Sequence, residues 1–266
     1  MKDFVRFLFS FFGLTVIKES TFSELSAAQN ALISLARWTS TEVPAEMLKY
    51  VIENSPKSRS QLQQDLMVGY FYPDHNSERF FVEFGATDGV SLSNTFFLEE
   101  SLGWRGILCE PARTWRRRLN ANRSCIVDYR CVHPLSQTEV MFSETRSPEL
   151  STISSFVGLD LHAGARMLNK NYLVPTVSLD DLLKEHHAPK DIHYLSIDTE
   201  GSEFDILENF PFENWNISII SIEHNYSENR ALLDSLLLAK GFVPILMGTS
   251  LFDGWYVCAE VNSRFI

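Results

Sequence analysis

From Phe80 onward the chain alternates short apolar runs with segments of helical spacing, and this constrains the fold more than any other feature. FFVEFG is followed by SNTFFLEESLG, RGILCE by PARTWRRRLNAN, IHYLSID by SEFDILENF, and ISIISIE by SENRALLDSLLLAKG. CIVDYRCV supplies a further strand after the second helix, and FVPILM and GWYVCAE close the chain with only a loop between them. Such alternation predicts an α/β protein with a parallel sheet covered by helices, ending in an antiparallel pair. Residues 133–175 are the least regular part, with MFSE and LVPT as short extra strands around a Ser-rich loop. Upstream, Pro44 precedes a helix over AEMLKYVIENS, SQLQQDLMVGYF reads as another helix, and KSRS at 57–60 reads as a hinge. Thr21 and Glu24 are spaced as a capping box before the run AAQNALISLARW.

The first strand ends in an acid and two glycines, Glu83, Gly85 and Gly89, with Asp88 between the glycines. The tight G-x-G-x-x-G spacing of a pyrophosphate loop is missing, and Glu83 would repel a pyrophosphate. An acid there suits a cationic or zwitterionic ligand. Glu110, at the end of the second strand and followed by Pro111, is placed to accept from both hydroxyls of a ribose. Together these describe a site for a nucleoside without phosphates that carries positive charge, and S-adenosylmethionine fits that description. The net charge of -11 argues against a nucleic-acid ligand, which needs a basic footprint.

VEFGATDGVSLSNTFFLEESLGWRGILCEP resembles the cofactor half of the FkbM-type S-adenosylmethionine-dependent methyltransferases. TVSLDDLL and YLSIDTEGSEFDIL resemble the second signature of that family, and SQLQQDLMVGYF resembles the segment that often precedes its domain. The resemblance covers roughly residues 60–260. It implies a Rossmann-like class I methyltransferase sheet of seven strands with an antiparallel last strand. The implied division is an N-terminal helical appendage over 1–60 and a methyltransferase domain over 61–266. It also implies that Glu83, Gly85, Ala86, Asp88 and Gly89 line the methionine side of the cofactor, with Asn94 near the same end, Glu110 and Pro111 at the ribose, and Asp198 as a further cofactor-binding residue. In the wider fold an acid after the third strand meets the adenine; here that segment reads CVHPLS, with His133 and Ser136 instead.

IDTEGSE places Asp198 at a strand end with Glu200 and Glu203 behind it, and the next strand ends in Glu223-His224-Asn225. Carboxylates and an amide oxygen suit a hard divalent ion such as Mg²⁺, giving Asp198, Glu223 and Asn225 as candidate ligands, similar to the catechol-type O-methyltransferases. Alternatively Asp198 or His224 acts as a general base, with Glu200 beside it. Glu200 and Glu203 also suit the simpler role of capping the next helix. Family analogy implies O-methylation of a hydroxyl on a sugar, glycolipid or other small-molecule acceptor. The rival expectation is a non-catalytic protein of the same fold acting in membrane trafficking or cargo binding.

The apolar stretch Phe4–Ile17 is too short for a confident transmembrane span. Two readings stay open for it: a helix lying peripherally on a membrane or a partner, or a helix packed on the domain. Cys109, Cys125, Cys131 and Cys258 form no C-x-x-C pair, so they read as reduced thiols of a cytoplasmic protein. Arg113, Arg116, Arg117 and Arg118 read as a solvated helix face, His186-His187 as loop, and Trp104 and Trp255 as core.

Overall fold

The computed structural model describes residues 35–40, 42–145, 152–153, 170–199, 201–226 and 229–265. The apolar stretch 4–17, the capping box at Thr21 and most of the Ser-rich loop lie outside these residues, as does Glu200. Within Glu42–Ile266, which holds together as one unit, the alternation read from the sequence becomes a seven-stranded sheet. Its first strand β1, Phe80–Phe84, pairs in parallel with β2, Arg105–Cys109, which pairs with β3, Ile126–Asp128. On its other side β1 pairs with β8, Asp191–Ile197, which pairs with β9, Asn216–Glu223. The antiparallel β11, Asp253–Val257, follows β9, and β10, Val243–Pro244, forms the edge. The order β3-β2-β1-β8-β9-β11-β10 reverses direction between β1 and β8. The carboxyl ends of those two strands therefore open a crevice at the switch point, where open α/β sheets bind ligands.

Period-two alternation sorts β1 between two environments. Phe80, Val82 and Phe84 join the main core with Leu195, Ile197, Ile220 and Ile222, beneath helices α5, Leu179–Glu185, α6, Glu203–Glu208, and α7, Asn229–Ala239. Each fully buried aliphatic side chain there contributes about 1.5–3 kcal/mol relative to exposure. Phe81 and Glu83 face the other way, toward the side of helix α3, Phe96–Leu102, and the loop that leads into it. Gly103, at φ 68, ends α3 in the left-handed conformation. Trp104 and Trp255 are core residues.

A second, four-stranded sheet is inserted between β3 and β8. It contains β4, Cys131–Val132, β5, Glu139–Glu144, β6, Thr152–Ile153, and β7, Lys170–Val177. MFSE and LVPT lie within its antiparallel pair β5 and β7. The expected third strand CIVDYRCV is in fact two strands in two sheets. Asp128 ends β3 by accepting from the Arg130 backbone N–H at 2.9 Å and its guanidinium, and the chain then crosses to pair with β7. FVPILM keeps only two strand residues, because Leu246 turns left-handed at φ 52 and a short helix, Met247–Ser250, follows. The helix expected from Pro111 starts later, at Arg116 (α4, Arg116–Asn122). Upstream, α1, Ala45–Asn54, begins directly after Pro44, and α2 spans Gln64–Phe71. KSRS is no loose hinge. Ser58 Oγ donates to the buried Asp65 at 2.7 Å, and Ser60 forms a parallel bridge with Leu92. No helix among the described residues is long and apolar enough to cross a membrane.

Candidate active site

The crevice at the carboxyl ends of β1 and β8 is lined by Glu83, Gly85, Thr87 and Asn94 from the first turn, Glu110 and Pro111 from the second, and Asp198 from the end of β8. Gly85, at φ 75, is required here: a Cβ would stand 2.2 Å from the Asp198 carbonyl oxygen. The two strand ends are thus packed backbone to backbone.

Glu83 is 2% exposed and holds the loop together. It accepts from the Asn94 backbone N–H at 2.7 Å, from Ser93 Oγ at 3.0 Å and from Thr95 Oγ1. Its charge is met by Arg123, whose Nη1 lies 3.8 Å away with no side-chain exposure. Arg123 also donates to Glu99 at 2.6 Å, to the Gly89 carbonyl at 3.0 Å and to Thr95 Oγ1 at 2.9 Å. Asp88 closes the turn locally, accepting from the backbone N–H groups of Val90 at 3.0 Å and Ser91 at 2.7 Å. Ala86 is buried beside it. Asp88, Ala86 and Gly89 shape the turn and do not line the crevice.

Glu110 is 5% exposed. One carboxylate oxygen accepts from the Thr87 backbone N–H and the other from that of Ala112, each at 2.8 Å. Burial pushes its pKa up to about 7, against the lowering effect of these two donors. A carboxylate oxygen accepts two hydrogen bonds, so each retains capacity toward the crevice.

Of the residues assigned to chemistry, Asp198 lines the crevice and Glu223 lies along it. Glu203 does not cap the helix it opens but ties down the turn before it: its Oε1 accepts from the backbone N–H groups of Thr199 and Gly201, each at 3.0 Å. His224 is buried and does not line the crevice. Its Nε2 accepts from Arg230 at 2.9 Å, and burial, then Arg230, lower its pKa. Asn225 uses its amide to donate to Glu223 at 2.9 Å. Among the described residues no group of three or more His, Cys, Asp or Glu converges to hold a metal ion.

Residues 83–244 match the methyltransferase FkbM domain. The chain belongs to the FkbM methyltransferase family. A solved FkbM methyltransferase from Methylobacillus flagellatus KT aligns at TM-score 0.41 and 11% identity over 86% of this chain. The chain spans 58% of that protein's length. A fibrillarin/Nop5p complex aligns at TM-score 0.34 and 12% identity over 68% of this chain and 72% of its own. A search of curated proteins returned no match.

The crevice of this FkbM domain also draws on residues that motif reading did not assign. Gln61, Gln64 and Asp253 line it from outside the matched span, and Phe142 and Ile153 line it from the inserted sheet. Gln64 Nε2 donates to Asp253 at 2.5 Å, joining α2 to β11 across the crevice end. The arginines beyond Pro111 stack on rings: Arg113 over Tyr172 at 4.1 Å and Arg116 over Tyr129 at 4.7 Å. His186 also has a partner, with Asp128 2.8 Å from its Nε2.

Proposed function

We propose that this FkbM domain is an S-adenosylmethionine-dependent methyltransferase acting on a hydroxyl of a small-molecule or glycan acceptor. The observation that carries the cofactor reading is Glu110, a buried carboxylate with one backbone donor on each oxygen and accepting capacity left toward the crevice. A vicinal diol is the natural partner for such a group. Gly85 supports the reading by letting the ends of β1 and β8 pack closely, which brings Asp198 beside the first turn. Pro111, Phe142 and Ile153 give an apolar wall beside Glu110 suited to a base, and the Glu83 loop with Asn94 gives a polar end suited to an amino-acid tail. When bound, the cofactor supplies an electrophilic methyl group on a sulfonium.

The protein's own work is to hold donor and acceptor in line, exclude water and remove a proton. We assign the last task to Asp198, the carboxylate at the end of β8 beside Gly85. The buried His224, engaged by Arg230, suits a structural role better. Calorimetric titration tests the cofactor reading. S-adenosylmethionine should bind saturably and NADH should not. Binding of NADH, or of neither ligand, refutes it, and the second outcome favours a fold retained for trafficking or cargo binding. Asp198→Asn should keep cofactor affinity within about twofold and abolish methyl transfer to a panel of sugars and small alcohols; retained transfer removes Asp198 from the chemistry.

A further inference from the structure

An amino-acid tail brings a carboxylate into the crevice, and that anion needs donors. Among the described lining residues there is no Lys, Arg or His, so neutral donors must meet it. Most lining side-chain donors already serve the protein. Asn94 Nδ2 donates to Ser196 Oγ at 2.9 Å and Gln64 Nε2 to Asp253 at 2.5 Å. Thr87 Oγ1 donates to the Ser91 carbonyl at 3.1 Å and Thr199 Oγ1 to Glu203 at 3.0 Å. Ser221 Oγ lies 2.7 Å from Tyr194 OH. Gln61 differs: it lines the crevice, is exposed at its mouth, and among the described residues its amide has no hydrogen-bond partner. Its backbone is nonetheless fixed. The adjacent Ser60 bridges to Leu92 and sets its Oγ between Gln64 Oε1 and Asn94 Oδ1, and the Leu62 N–H donates to Gln64 Oε1 at 2.9 Å. The same Asn94 has its N–H on Glu83, so the residue beside Ser60, Gln61, lines the crevice near its polar Asn94 and Glu83 end.

We infer that Gln61, outside the family-matched span, is a binding residue whose side-chain amide donates to the carboxylate of the cofactor's amino-acid tail. The inference rests on the cofactor reading above, and its test separates the two. Three ligands suffice: S-adenosylhomocysteine and S-adenosylmethionine, which carry the tail, and 5′-methylthioadenosine, which lacks it. Gln61→Ala should weaken both tailed ligands by about tenfold, as for loss of one hydrogen bond to a charged group. It should leave 5′-methylthioadenosine within about twofold. Gln61→Glu, which sets a carboxylate against a carboxylate, should weaken the tailed ligands further while again sparing the truncated one. Equal losses for all three ligands, or none for any, overturns the inference. A wild-type protein that binds none of them refutes the cofactor reading instead. Gln61 is exposed, so thermal melts of both variants should overlay the wild type.

Discussion

Two buried carboxylates end neighbouring strands of this sheet, and they are held in opposite ways. Glu83, at the end of β1, sits among two hydroxyls, a backbone N–H and the Arg123 guanidinium. Glu110, at the end of β2, receives two backbone N–H groups, and burial dominates its titration. The first arrangement neutralises a charge and fixes a loop. The second leaves a carboxylate under-solvated and facing a crevice, which is costly for the fold and useful for a ligand. Similar burial thus conceals two differently partnered acids, one tied into its loop and one lining the crevice, where the proposed function gives it the cofactor.

The largest expected effect falls on the structural side. Arg123→Met leaves the buried Glu83 and the half-buried Glu99 without their shared cation, and should cost about 3–5 kcal/mol in urea unfolding. A loss below about 1 kcal/mol would mean that solvent compensates Glu83 and that the contrast is false. Next, Glu83→Gln and Glu110→Gln should separate. The first should lower stability with a secondary effect on cofactor affinity. The second should lower affinity for S-adenosylhomocysteine by about tenfold or more with stability unchanged or improved. If both variants lose affinity and stability alike, the two acids are one unit.

The smallest effect is in pH. The folded pKa of Glu110 is raised to about 7 from an ordinary 4.5. The native state therefore holds a proton that the unfolded chain releases, and this contribution to stability is complete below about 4.5 and lost as pH rises through 7. Asp65, fully buried and raised to about 7 by burial, acts in the same direction. On the proposed reading, in which the ionised Glu110 accepts the diol, cofactor affinity runs the opposite way. Affinity should rise between about pH 6 and 8, a trend that Glu110→Gln should flatten while Asp65 preserves part of the stability slope. Calorimetry and thermal melts across that range check both signs.

The central sheet was legible because β1, β8 and β9 are apolar runs, each bounded by turn or helix signals. The place of Glu110 at the crevice was legible because it follows such a run. Arg123 was not: it follows the helix that carries three consecutive arginines, and nothing in a linear sequence separates its buried guanidinium from the half-buried Arg116 and the exposed Arg117 and Arg118. His224 was misleading for a related reason. Its position after β9 suits catalysis, yet its ring is engaged by Arg230, six residues on. The split of CIVDYRCV depends on Asp128 gathering both Arg130 and His186, the latter 58 residues away. Asp253 lies outside the signatures, and only the folded sheet brings it to Gln64.

The Gln64–Asp253 link spans 189 residues, whereas the Glu83–Arg123 wiring closes within the first three strands of the sheet. During synthesis the earlier wiring assembles from local contacts, while the far end of the crevice waits for β11 to leave the ribosome. A nascent chain therefore carries the turn and its arginine well before it has a complete crevice. A chain truncated before β11 should be made without ever being able to close its crevice.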